Sequence, residues 1–542
     1  MFVLRRIYCR SFQMVFKMAL PFLPYRNPKI IPSVAGIPEV CRKKKITKVM
    51  IVTDEGIRRL GLTSFLEKTM TENNISYCIY DRTVANPTIW NVEEAKELYL
   101  TEGAQAIIAF GGGSSMDCAK AAGARIVKPR QSIQQMKGLL KVHKRLPLLI
   151  AIPTTAGTGS ETTLAAVITD SEQHYKYPIN DFVLIPRYAV LDYHETVGLP
   201  ANITATTGMD ALTHAVEAYI GGSTTKETRA MAEEAVCLIH EHLKNAYDNG
   251  HNKEARKGML RAAYCAGVAF TKSYVGYIHA VAHSLGGQYG TPHGLANAVI
   301  LPIVLRIYGP DCEKKLGTLA RNTGVAKPEM DDAKATQCFI DWIQKMNDSM
   351  GIPRYFPEIC KKDIPIMAKH ADKEANPLYP VPVLMDRKEL EKIYLAVTEG
   401  EIKAEKAILE DWLKKDNRTN SSAVVAAGTA GAKKAVLSYE VLETKRIEEE
   451  GTEQDGKVRS LVQICLDTGR HHQIRVQMSH AGMPLVGDRK YNPRQSGQEP
   501  LALCSARLGF QHPVTKKKLE FWVKPAGSAF EGWNEIRFLD DV

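Results

Sequence analysis

The hydrophobic and polar positions change their period twice along the 542-residue chain, which predicts three structurally different blocks. In the first block, short apolar runs alternate with segments whose apolar spacing is near 3.6 residues. The apolar runs predict strands at residues 48–52, 77–80, 106–110 and 146–152. The segments between them predict helices at residues 55–73, 92–102 and 116–124. This alternation indicates a parallel sheet covered by helices, an α/β domain.

A second block extends from about residue 200 to residue 394 and contains few strand candidates. Helical spacing of the apolar residues recurs at residues 210–220, 225–245, 254–271 and 277–286. This block is therefore predicted to be all-helical.

Beyond residue 400 the pattern changes again. Residues 417–433 are polar and rich in glycine and alanine, which is typical of a surface loop. Apolar and polar positions then alternate as in half-buried antiparallel strands, at residues 435–443, 458–466, 473–478 and 501–511. The third block is predicted to have a different architecture from the first two.

The net charge of +11 lies almost entirely in the first fifty residues, which hold eleven basic side chains and one acidic one. Residues 51–396 are neutral in sum, and residues 397–542 carry a net +1. A neutral body argues against a protein whose surface binds nucleic acid. Residues 1–20 are basic and contain no acid, so they are either a targeting leader or an untranslated or frayed extension upstream of Met18.

The eleven cysteines are odd in number and form no Cys-x-x-Cys pair. This argues against a disulfide framework and a thiolate zinc site, and it favours a reducing compartment. The sequence contains no run of about 18 consecutive apolar residues, so it predicts no membrane span. We expect a cytoplasmic protein, with import into an organelle left open by the basic N-terminus.

Two pairs of side chains four residues apart stand out in the helical block: Asp210 with His214, and His279 with His283. Because residues i and i+4 share one helix face, each pair can converge on one point. His293 follows in a Pro-His-Gly turn. One carboxylate and several imidazoles suit a divalent metal, either iron(II) or zinc.

Two loops of small residues follow predicted strands of the α/β block: FGGGSSMD at residues 110–117 and PTTAGTGSE at residues 153–161. Glycines between a strand and a helix let backbone amides approach a phosphate group. Such loops at the carboxyl ends of a parallel sheet indicate a dinucleotide site. Asp54 ends the first strand, where its carboxylate could bind an adenosine ribose and would repel the 2′-phosphate of NADP.

Seven motifs occur in order between about residues 21 and 396: VTDEG, VANPT, FGGGSSMDCAK, PTTAGTGSE, GMDALTHAVEAY, HAVAHSLGG and TPHGLANA. As a set they resemble the iron-containing (group III) alcohol dehydrogenase family. The resemblance implies the dehydroquinate synthase-like fold of that family. In this fold an α/β nucleotide-binding domain and an all-α metal-binding domain enclose a cleft.

The resemblance also implies roles for individual residues. It implies a metal, Fe²⁺ or alternatively Zn²⁺, on Asp210, His214, His279 and His293, and it places His283 beside the nicotinamide rather than on the metal. It implies that NAD(H), or alternatively NADP(H), contacts Asp54, Asn86, Gly111, Gly112, Gly113, Ser114, Thr154, Thr155, Thr158 and Lys176.

These roles imply an oxidoreductase that transfers hydride between nicotinamide and a small primary alcohol or aldehyde. The substrate oxygen would lie on the metal, which acts as a Lewis acid. His283, four residues after His279, is the candidate for relaying the proton out of the cleft. The family resemblance further suggests a homodimer or a larger homo-oligomer.

A second set of motifs lies between about residues 390 and 525: KIYLAVTEG, KDNRTN, LDTGRHHQIR, GMPLVGDRKY and FQHPVT. It resembles the carboxyl-terminal half of the large pseudouridine synthase family, which modifies ribosomal and transfer RNA. The resemblance implies a partial mixed α+β segment. Tyr394 and Arg470 match that family's active-site Tyr and Arg. The His-Arg-Leu-Asp motif with the nucleophilic aspartate occurs nowhere in the sequence, so we expect a non-catalytic fragment. RNA binding through residues 397–542 is the disfavoured alternative.

Together these interpretations divide the chain into four parts. They are a basic extension (1–20), an α/β dinucleotide-binding domain (21–200), an all-helical metal-binding catalytic domain (201–396) and a truncated pseudouridine synthase-like segment (397–542). The two resemblances meet at residues 391–394, EKIY, where we hypothesise a recombination, a deletion or an assembly join.

Overall fold

The chain folds into two units, one within residues 1–401 and the other within residues 402–542. The computed structural model describes residues 3–171, 175–356, 359–399, 406–416, 419–447, 457–466, 468–492, 500–505, 507–511, 518–522 and 530. Parts of four predicted motifs, residues 400, 417–418, 467 and 512–515, lie outside the described residues. Among the described residues, the helices are either too short or too polar to cross a bilayer.

The strands of unit 1 all lie in its first half. They are β1 (Lys29–Ile31), β2 (Lys48–Val52), β3 (Ser76–Tyr80), β4 (Ala106–Gly111), β5 (Gly138–Leu139), β6 (Leu148–Pro153), β7 (Ala165–Asp170), β8 (Tyr175–Asn180) and β9 (Tyr188–Val190). Six of them form a parallel sheet in the order β1-β9-β6-β4-β2-β3. The other three form a small sheet in the order β5-β8-β7.

Helices make up the rest of the regular structure of unit 1. They are α1 (Val3–Ala19), α2 (Ile37–Lys43), α3 (Glu55–Arg59), α4 (Ser64–Glu72), α5 (Ile89–Thr101), α6 (Gly113–Val127), α7 (Ile133–Met136), α8 (Ala201–Ile220), α9 (Lys226–Asp248), α10 (Lys253–Ser273), α11 (Tyr277–Tyr289), α12 (His293–Tyr308), α13 (Pro310–Asn322), α14 (Asp332–Ser349), α15 (Ile364–Ala375) and α16 (Arg387–Glu399).

The central strands are apolar because both faces of the parallel sheet are covered. In β2, Met50 and Val52 pack into one core cluster, whereas Val49 and Ile51 pack into the cluster on the opposite face. The helices from α8 onward enclose a third core around α8, whose residues are mostly buried. The predicted combination of a parallel α/β sheet and an all-helical part is confirmed.

One predicted helix is divided in two. Residues 55–73 were expected to form a single helix, but α3 ends at Arg59 and α4 begins at Ser64. Gly61 lies between them with φ +70, a left-handed conformation that stops a helix. The periodicity of the apolar residues continues across this break, which is why it predicted one helix.

The N-terminal segment is a helix that belongs to unit 1. In α1 the side chains of Cys9 and Gln13 are buried, and Cys9 joins the core of the helical part. The expectation of a frayed extension is therefore wrong for residues 3–19, whose inward face is packed. The alternative of a targeting leader stays a prediction.

Unit 2 combines antiparallel strands with one short helix in its described residues. The strands are β10 (Lys406–Asp416), β11 (Ser421–Val425), β12 (Lys433–Ile447), β13 (Lys457–Leu466), β14 (Arg507–Gln511) and β15 (Lys518–Trp522), and the helix is α17 (Gln473–His480). A four-stranded sheet has the order β11-β10-β12-β13, and β14 pairs with β15. This confirms the predicted mixed α+β architecture.

The strand predicted at residues 473–478 is wrong, because these residues form α17. Val476 and Met478 are buried as the alternating pattern predicted, but the polar Gln473 and Gln477 are buried as well. Gln477 donates to the backbone oxygen of Leu409 and to Asp411. A buried amide with such partners looks like an exposed position in a hydropathy pattern. Of the described residues between 501 and 511, those of β14 form a strand and residues 501–505 do not.

Candidate active site

Four of the side chains singled out from the sequence converge on one point of the helical part. Asp210 and His214 lie one turn apart on α8, His279 lies near the start of α11, and His293 is the first residue of α12. One potential ligand atom from each of the four lies within 4.8 Å of those of the others. The i and i+4 spacing on α8 therefore does bring its two side chains together, as the sequence predicted.

A glycine allows the third helix to reach this cluster. A Cβ atom on Gly294 would lie 2.5 Å from the backbone oxygen of Thr206 and 3.5 Å from Cβ of Asp210. The first turn of α12 thus touches α8 directly, which only a residue without a side chain permits. This close approach brings His293 next to Asp210. In the sequence, a glycine directly after His293 indicates a close approach of the backbone at this point. Only the fold shows that the approach is to α8.

The carboxylate of Asp210 faces two of the histidines. Its Oδ1 atom lies 3.5 Å from Nε2 of His293 and 3.9 Å from Nε2 of His279. The ring of His214 is stacked between Phe270 and His279, with centroid distances of 4.0 and 4.4 Å. These packed rings hold the cluster in one arrangement.

Two polar residues that the sequence did not predict hold the cluster from behind. Glu217, on the same face of α8, accepts from Nδ1 of His279 at 2.6 Å and from the backbone N–H of Ile278 at 2.8 Å. Asn297 lies one turn after His293, and its side-chain nitrogen donates to Oδ1 of Asp210 at 2.6 Å. Glu217 and Asn297 both fall within the quoted motifs, but no spacing in the sequence indicates that they contact the cluster.

The surroundings of the cluster favour neutral histidines and an ionised aspartate. Burial lowers the pKa of His214 and of His279 to about 4, and that of His293 to about 3. Burial alone would raise the pKa of Asp210, but the neighbouring histidines outweigh it and hold that pKa below its usual value. Neutral imidazoles and a carboxylate are the forms that bind a metal ion.

His283 lies beside the cluster, and its ring faces a carboxylate. Its ring is stacked on that of His293 at 5.0 Å, and its Nδ1 lies 2.6 Å from Oε1 of Glu374. The hydroxyl of Tyr379 donates to the same oxygen at 2.8 Å. Burial would lower the pKa of His283, but the Glu374 carboxylate raises it above the ordinary value. With 42% of its side chain exposed, His283 is open to solvent or a ligand. The sequence did not predict Glu374 or Tyr379.

Three adjacent strands of the parallel sheet end at the predicted cofactor residues. Asp54 follows β2, Gly111 ends β4 with Gly112 and Gly113 directly after it, and Thr154 and Thr155 follow β6. Since β6, β4 and β2 are neighbours, these residues share the carboxyl edge of the sheet. This edge is where open α/β sheets bind their ligands.

At Gly111 and Gly113 the glycine loop leaves little room for a side chain. Gly111 has φ +149, and a Cβ there would lie 2.5 Å from the hydroxyl oxygen of Ser115. A Cβ on Gly113 would lie 3.2 Å from the methyl group of Thr158, so the two loops touch. The backbone N–H of Thr154 donates to the oxygen of Gly111 at 3.1 Å.

The other predicted cofactor residues are Asn86, Ser114, Asp54 and Lys176, of which the first two contact each other. The backbone N–H of Asn86 donates to the hydroxyl of Ser114 at 3.3 Å. Asp54 caps α3, because its Oδ1 accepts the backbone N–H of Ile57 at 2.9 Å. Lys176 is exposed on β8, where it pairs with Thr169. Asp54 and Lys176 take part in neither of the loop contacts.

A buried lysine that the sequence did not predict joins the glycine loop to the second loop. The ammonium of Lys120, on α6, donates to Ser160, Thr163 and the backbone oxygen of Ala165 at 3.0, 2.7 and 2.9 Å. Burial lowers the pKa of Lys120 to about 8, and the nearby Asp117 opposes this shift. The lysine fixes the loop after β6 against α6.

The second loop also packs against the helical part. Gly159 has φ +60, and a Cβ there would lie 2.7 Å from the Cα atom of Gly267 on α10. A Cβ on Gly157 would lie 2.6 Å from the backbone oxygen of Thr207 on α8. The loop that follows β6 therefore links the α/β part to the helix that carries Asp210 and His214.

Tyr394 and Arg470, the two residues that match the active site of the pseudouridine synthase family, do not belong to the Asp210 and histidine cluster. Tyr394 lies on α16 in the core of unit 1, fully buried, and its hydroxyl bonds to Ser284 and to the backbone oxygen of Met367. Arg470, in unit 2, donates through Nε to the backbone oxygen of Lys434 at 2.9 Å. The structure thus gives Tyr394 a packing role.

Comparison with known proteins places this site in a family. Residues 32–193 match the sequence profile of the iron-containing alcohol dehydrogenases, and residues 204–398 match the C-terminal profile of the same family. Alcohol dehydrogenase 4 of Saccharomyces cerevisiae is 38% identical over 338 residues, covering 62% of this chain and 87% of that relative. The chain belongs to the iron-containing alcohol dehydrogenase family. Its family members are oxidoreductases.

Other members of the iron-containing alcohol dehydrogenase family are similar over the same part. The 1,3-propanediol dehydrogenase of Citrobacter freundii is 35% identical over 385 residues, covering 70% of this chain and 98% of its own. The crystal structure of 1,3-propanediol oxidoreductase superposes with a TM-score of 0.66 at 33% identity, over 69% of this chain and 98% of that one. The structure of sulfoacetaldehyde reductase from Bifidobacterium kashiwanohense, solved in complex with NAD⁺, superposes with a TM-score of 0.63 at 26% identity. The superposition covers 70% of this chain and 99% of that one.

A second family profile matches the end of this dehydrogenase region and part of unit 2. Residues 383–480 match the RNA pseudouridylate synthase family. The two matches overlap from residue 383 to residue 398, which includes the EKIY segment. The predicted fusion of the two sequence families is thereby confirmed.

Proposed function

We propose that this chain is a metal-dependent, NAD(H)-linked alcohol dehydrogenase and aldehyde reductase that acts on a small primary alcohol or its aldehyde. The observation that carries the proposal is the convergence of Asp210, His214, His279 and His293 within 4.8 Å. One carboxylate and three neutral imidazoles, mostly buried, fit a divalent ion. The buried Nδ1 of His214 has no hydrogen-bond partner among the described atoms, and such an orphaned atom also favours a bound group.

These four residues would hold iron(II), which is the metal we propose; zinc is the alternative because it accepts the same ligands. When bound, the ion supplies Lewis acidity toward an alcohol or carbonyl oxygen. The contribution of the chain is to fix the ligands. Glu217 fixes the ring of His279 so that its Nε2 faces Asp210, and Asn297 fixes the Asp210 carboxylate.

The carboxyl edge of the sheet fits a dinucleotide. The glycine loop from Gly111 to Gly113 has no side chains that would exclude a phosphate, and it opens α6 at its N-terminus. We propose that Asn86, Ser114, Thr154, Thr155, Thr158 and Lys176 complete the site. Asp54 favours NAD(H), because its charge would repel the 2′-phosphate of NADP(H). When bound, the nicotinamide supplies or accepts the hydride.

His283 is the residue we propose for proton transfer. Its Nδ1–H is held by Glu374, so the ring is fixed and Nε2 is the atom that would exchange a proton with the substrate oxygen or with water. The exposed fraction of the ring, 42%, leaves this exchange open to solvent. The residue thereby acts on the proton and does not need to bind the metal.

The test is an assay of the full-length protein with NADH and short aldehydes. After chelation we expect the activity to be lost, and anaerobic addition of Fe²⁺ should restore it, with Zn²⁺ as the comparison. His279→Ala should lose both bound metal and activity. His370→Ala, which changes an exposed histidine on α15, should keep both. Activity that resists chelation, or none with either metal, would overturn the proposal.

We also propose that the protein forms a homodimer or a larger homo-oligomer, as the family resemblance suggests. Analytical ultracentrifugation measures this directly.

We further propose a cytoplasmic location. All eleven cysteines are free thiols, which suits the reducing cytosol. The RNA-modifying alternative is the weaker candidate function, since Tyr394 is committed to the core of unit 1.

A further inference from the structure

We infer that helix α1 positions the proton-transfer residue of this enzyme: it holds residues 372–382, whose Glu374 and Tyr379 side chains fix the ring of His283. This inference rests on the proposed function of His283. The helix precedes residue 32, where the match to the family profile begins.

Gln13 makes the central contact between α1 and this segment. Its side-chain nitrogen donates to the backbone oxygen of Tyr379 at 2.7 Å and to that of Pro377 at 3.2 Å. With 7% of its surface exposed, Gln13 is buried against the segment. A buried amide bonded to two backbone oxygens fixes the course of the chain between them.

Two arginines extend the contact to both ends of the segment. Arg10 donates to the backbone oxygens of Val381 and Pro382, each at 2.7 Å. Arg5 forms an ion pair with Asp372, with both carboxylate oxygens within 2.9 Å of the same guanidinium nitrogen. The residues of α1 thus bond to the segment before Glu374 and after Tyr379.

The held segment leads directly to His283. Tyr379 donates its hydroxyl to Oε1 of Glu374 at 2.8 Å, and the same oxygen lies 2.6 Å from Nδ1 of His283. If the backbone of Tyr379 moved away from Gln13, the Tyr379 hydroxyl would leave Glu374. The Glu374 carboxylate would then lose the hydrogen bond from Tyr379 that helps to orient it toward His283.

α1 makes a second contact just before the helix that carries His283. The ring of Phe16 packs edge-on against Tyr274 at 5.1 Å. Tyr274 has φ +63 and ψ 176, a conformation that residues with side chains rarely adopt. It lies just before α11, the helix that carries His283. α1 therefore supports both the strained start of α11 and the segment that faces it.

The test uses the full-length protein and replaces Gln13 by glutamate, which keeps the shape of the side chain and removes its donors. We expect hydrogen exchange in residues 372–382 to accelerate about tenfold, the usual effect of losing one such bond. We expect kcat to fall with KM for NADH and bound metal unchanged. Met14→Gln, on the exposed face of the same helix, is the matched control and should change neither.

A double-mutant cycle separates positioning from general stability. If α1 acts through Glu374, the Gln13→Glu change should cost little further activity in a Glu374→Gln background, because the carboxylate that holds the His283 ring is already absent. Additive losses, or unchanged exchange in residues 372–382, would overturn the inference. Gln13→Met replaces Gln13→Glu should the latter fail to fold. No activity in the parent protein overturns the proposed function and with it the role for His283, while the exchange data still decide whether α1 holds the segment.

Discussion

Glu217 binds His279 through the ring nitrogen that does not face Asp210. Its Oε2 lies 2.6 Å from Nδ1 of His279, and Nε2 of the same ring faces Asp210 at 3.9 Å. A carboxylate in this position fixes both the tautomer and the orientation of a ligating imidazole. Glu217 also accepts the N–H of Ile278, so one side chain on α8 determines how α11 begins.

Replacing Glu217 by glutamine should therefore weaken metal binding. We expect a loss of about 10- to 100-fold in affinity, the usual result of removing such a partner from a ligating histidine. Competition with a chromophoric chelator measures this without relying on enzyme activity. Glu241→Gln on α9, an exposed site, is the control and should bind metal as the parent does. Equal affinities of the Glu217 variant and the parent would contradict the role assigned to Glu217.

Replacing Gly294 by alanine should displace His293. The new Cβ would lie 2.5 Å from the backbone oxygen of Thr206, so α12 must move away from α8. We expect a loss of about 1–3 kcal/mol in stability, as for other overpacked sites, together with weaker metal binding. Thermal unfolding and metal titration measure the two effects.

Gly287 provides the matched control for this change. It lies on α11, and a Cβ there would meet nothing within 4 Å. Gly287→Ala should therefore leave metal binding unchanged and, since alanine favours a helix, should not lower the unfolding temperature. If both variants bound metal as the parent does, the contact between α12 and α8 would not be what positions His293.

Replacing Asp54 by asparagine should improve the use of NADPH. Asparagine keeps the hydrogen bond that caps α3, since it is as good a cap as aspartate, but it removes the negative charge. We expect kcat/KM for NADPH relative to NADH to rise about tenfold, equivalent to about 1.4 kcal/mol, from relief of repulsion at a partly exposed site. Asp81→Asn, after the neighbouring strand β3, is the control. An unchanged ratio would place the ribose away from Asp54.

The sequence predicted those features that follow from spacing within one element. The apolar runs at β2, β4 and β6 predicted the central strands, and the spacing of Asp210 and His214 predicted their shared face. Glu374 could not be found in this way, because its partner His283 lies on another helix and the contact depends on how α11 and α15 pack. The same holds for Asn297, whose partner Asp210 lies on α8.

Helix α1 shows a second limit of sequence patterns. Its many apolar and basic residues predicted a leader or a frayed extension, because a pattern shows composition and not what a face contacts. Gln13 makes the central contact with residues 372–382, and a single glutamine gives no signal in a hydropathy profile. In unit 2 the buried Gln477 looks like an exposed position for the same reason, which is why a strand was predicted where α17 forms.

Unit 2 contains a buried ion pair between Asp488 and Arg475. Asp488 is buried, and both of its oxygens accept from the guanidinium of Arg475, at 2.9 and 2.6 Å. Burial alone would raise the pKa of Asp488, but Arg475 and the backbone N–H groups of Lys490 and Tyr491 outweigh it and lower this pKa. The folded state therefore favours the ionised carboxylate more than the unfolded state does.

The sign of the pH dependence follows from this lowered pKa. The ion pair contributes its full stability above the unfolded pKa of about 4, and the contribution is lost as the pH falls toward the folded pKa. Asp488→Asn leaves Arg475 without its partner and should cost about 3 kcal/mol at pH 7. Pulse proteolysis of the full-length protein in urea measures this for unit 2. The difference from the parent should shrink as the pH falls below about 4.

A second ion pair in the same unit provides the comparison. Glu410 and Lys434 lie 2.9 Å apart, but both side chains are at least 50% exposed. Glu410→Gln should therefore cost less than about 1 kcal/mol at any pH, because water screens an exposed pair. Two outcomes would contradict the role assigned to the burial of Asp488. Asp488→Asn would cost no more free energy of unfolding than Glu410→Gln, or the parent and the Asp488 variant would lose stability in parallel as the pH falls.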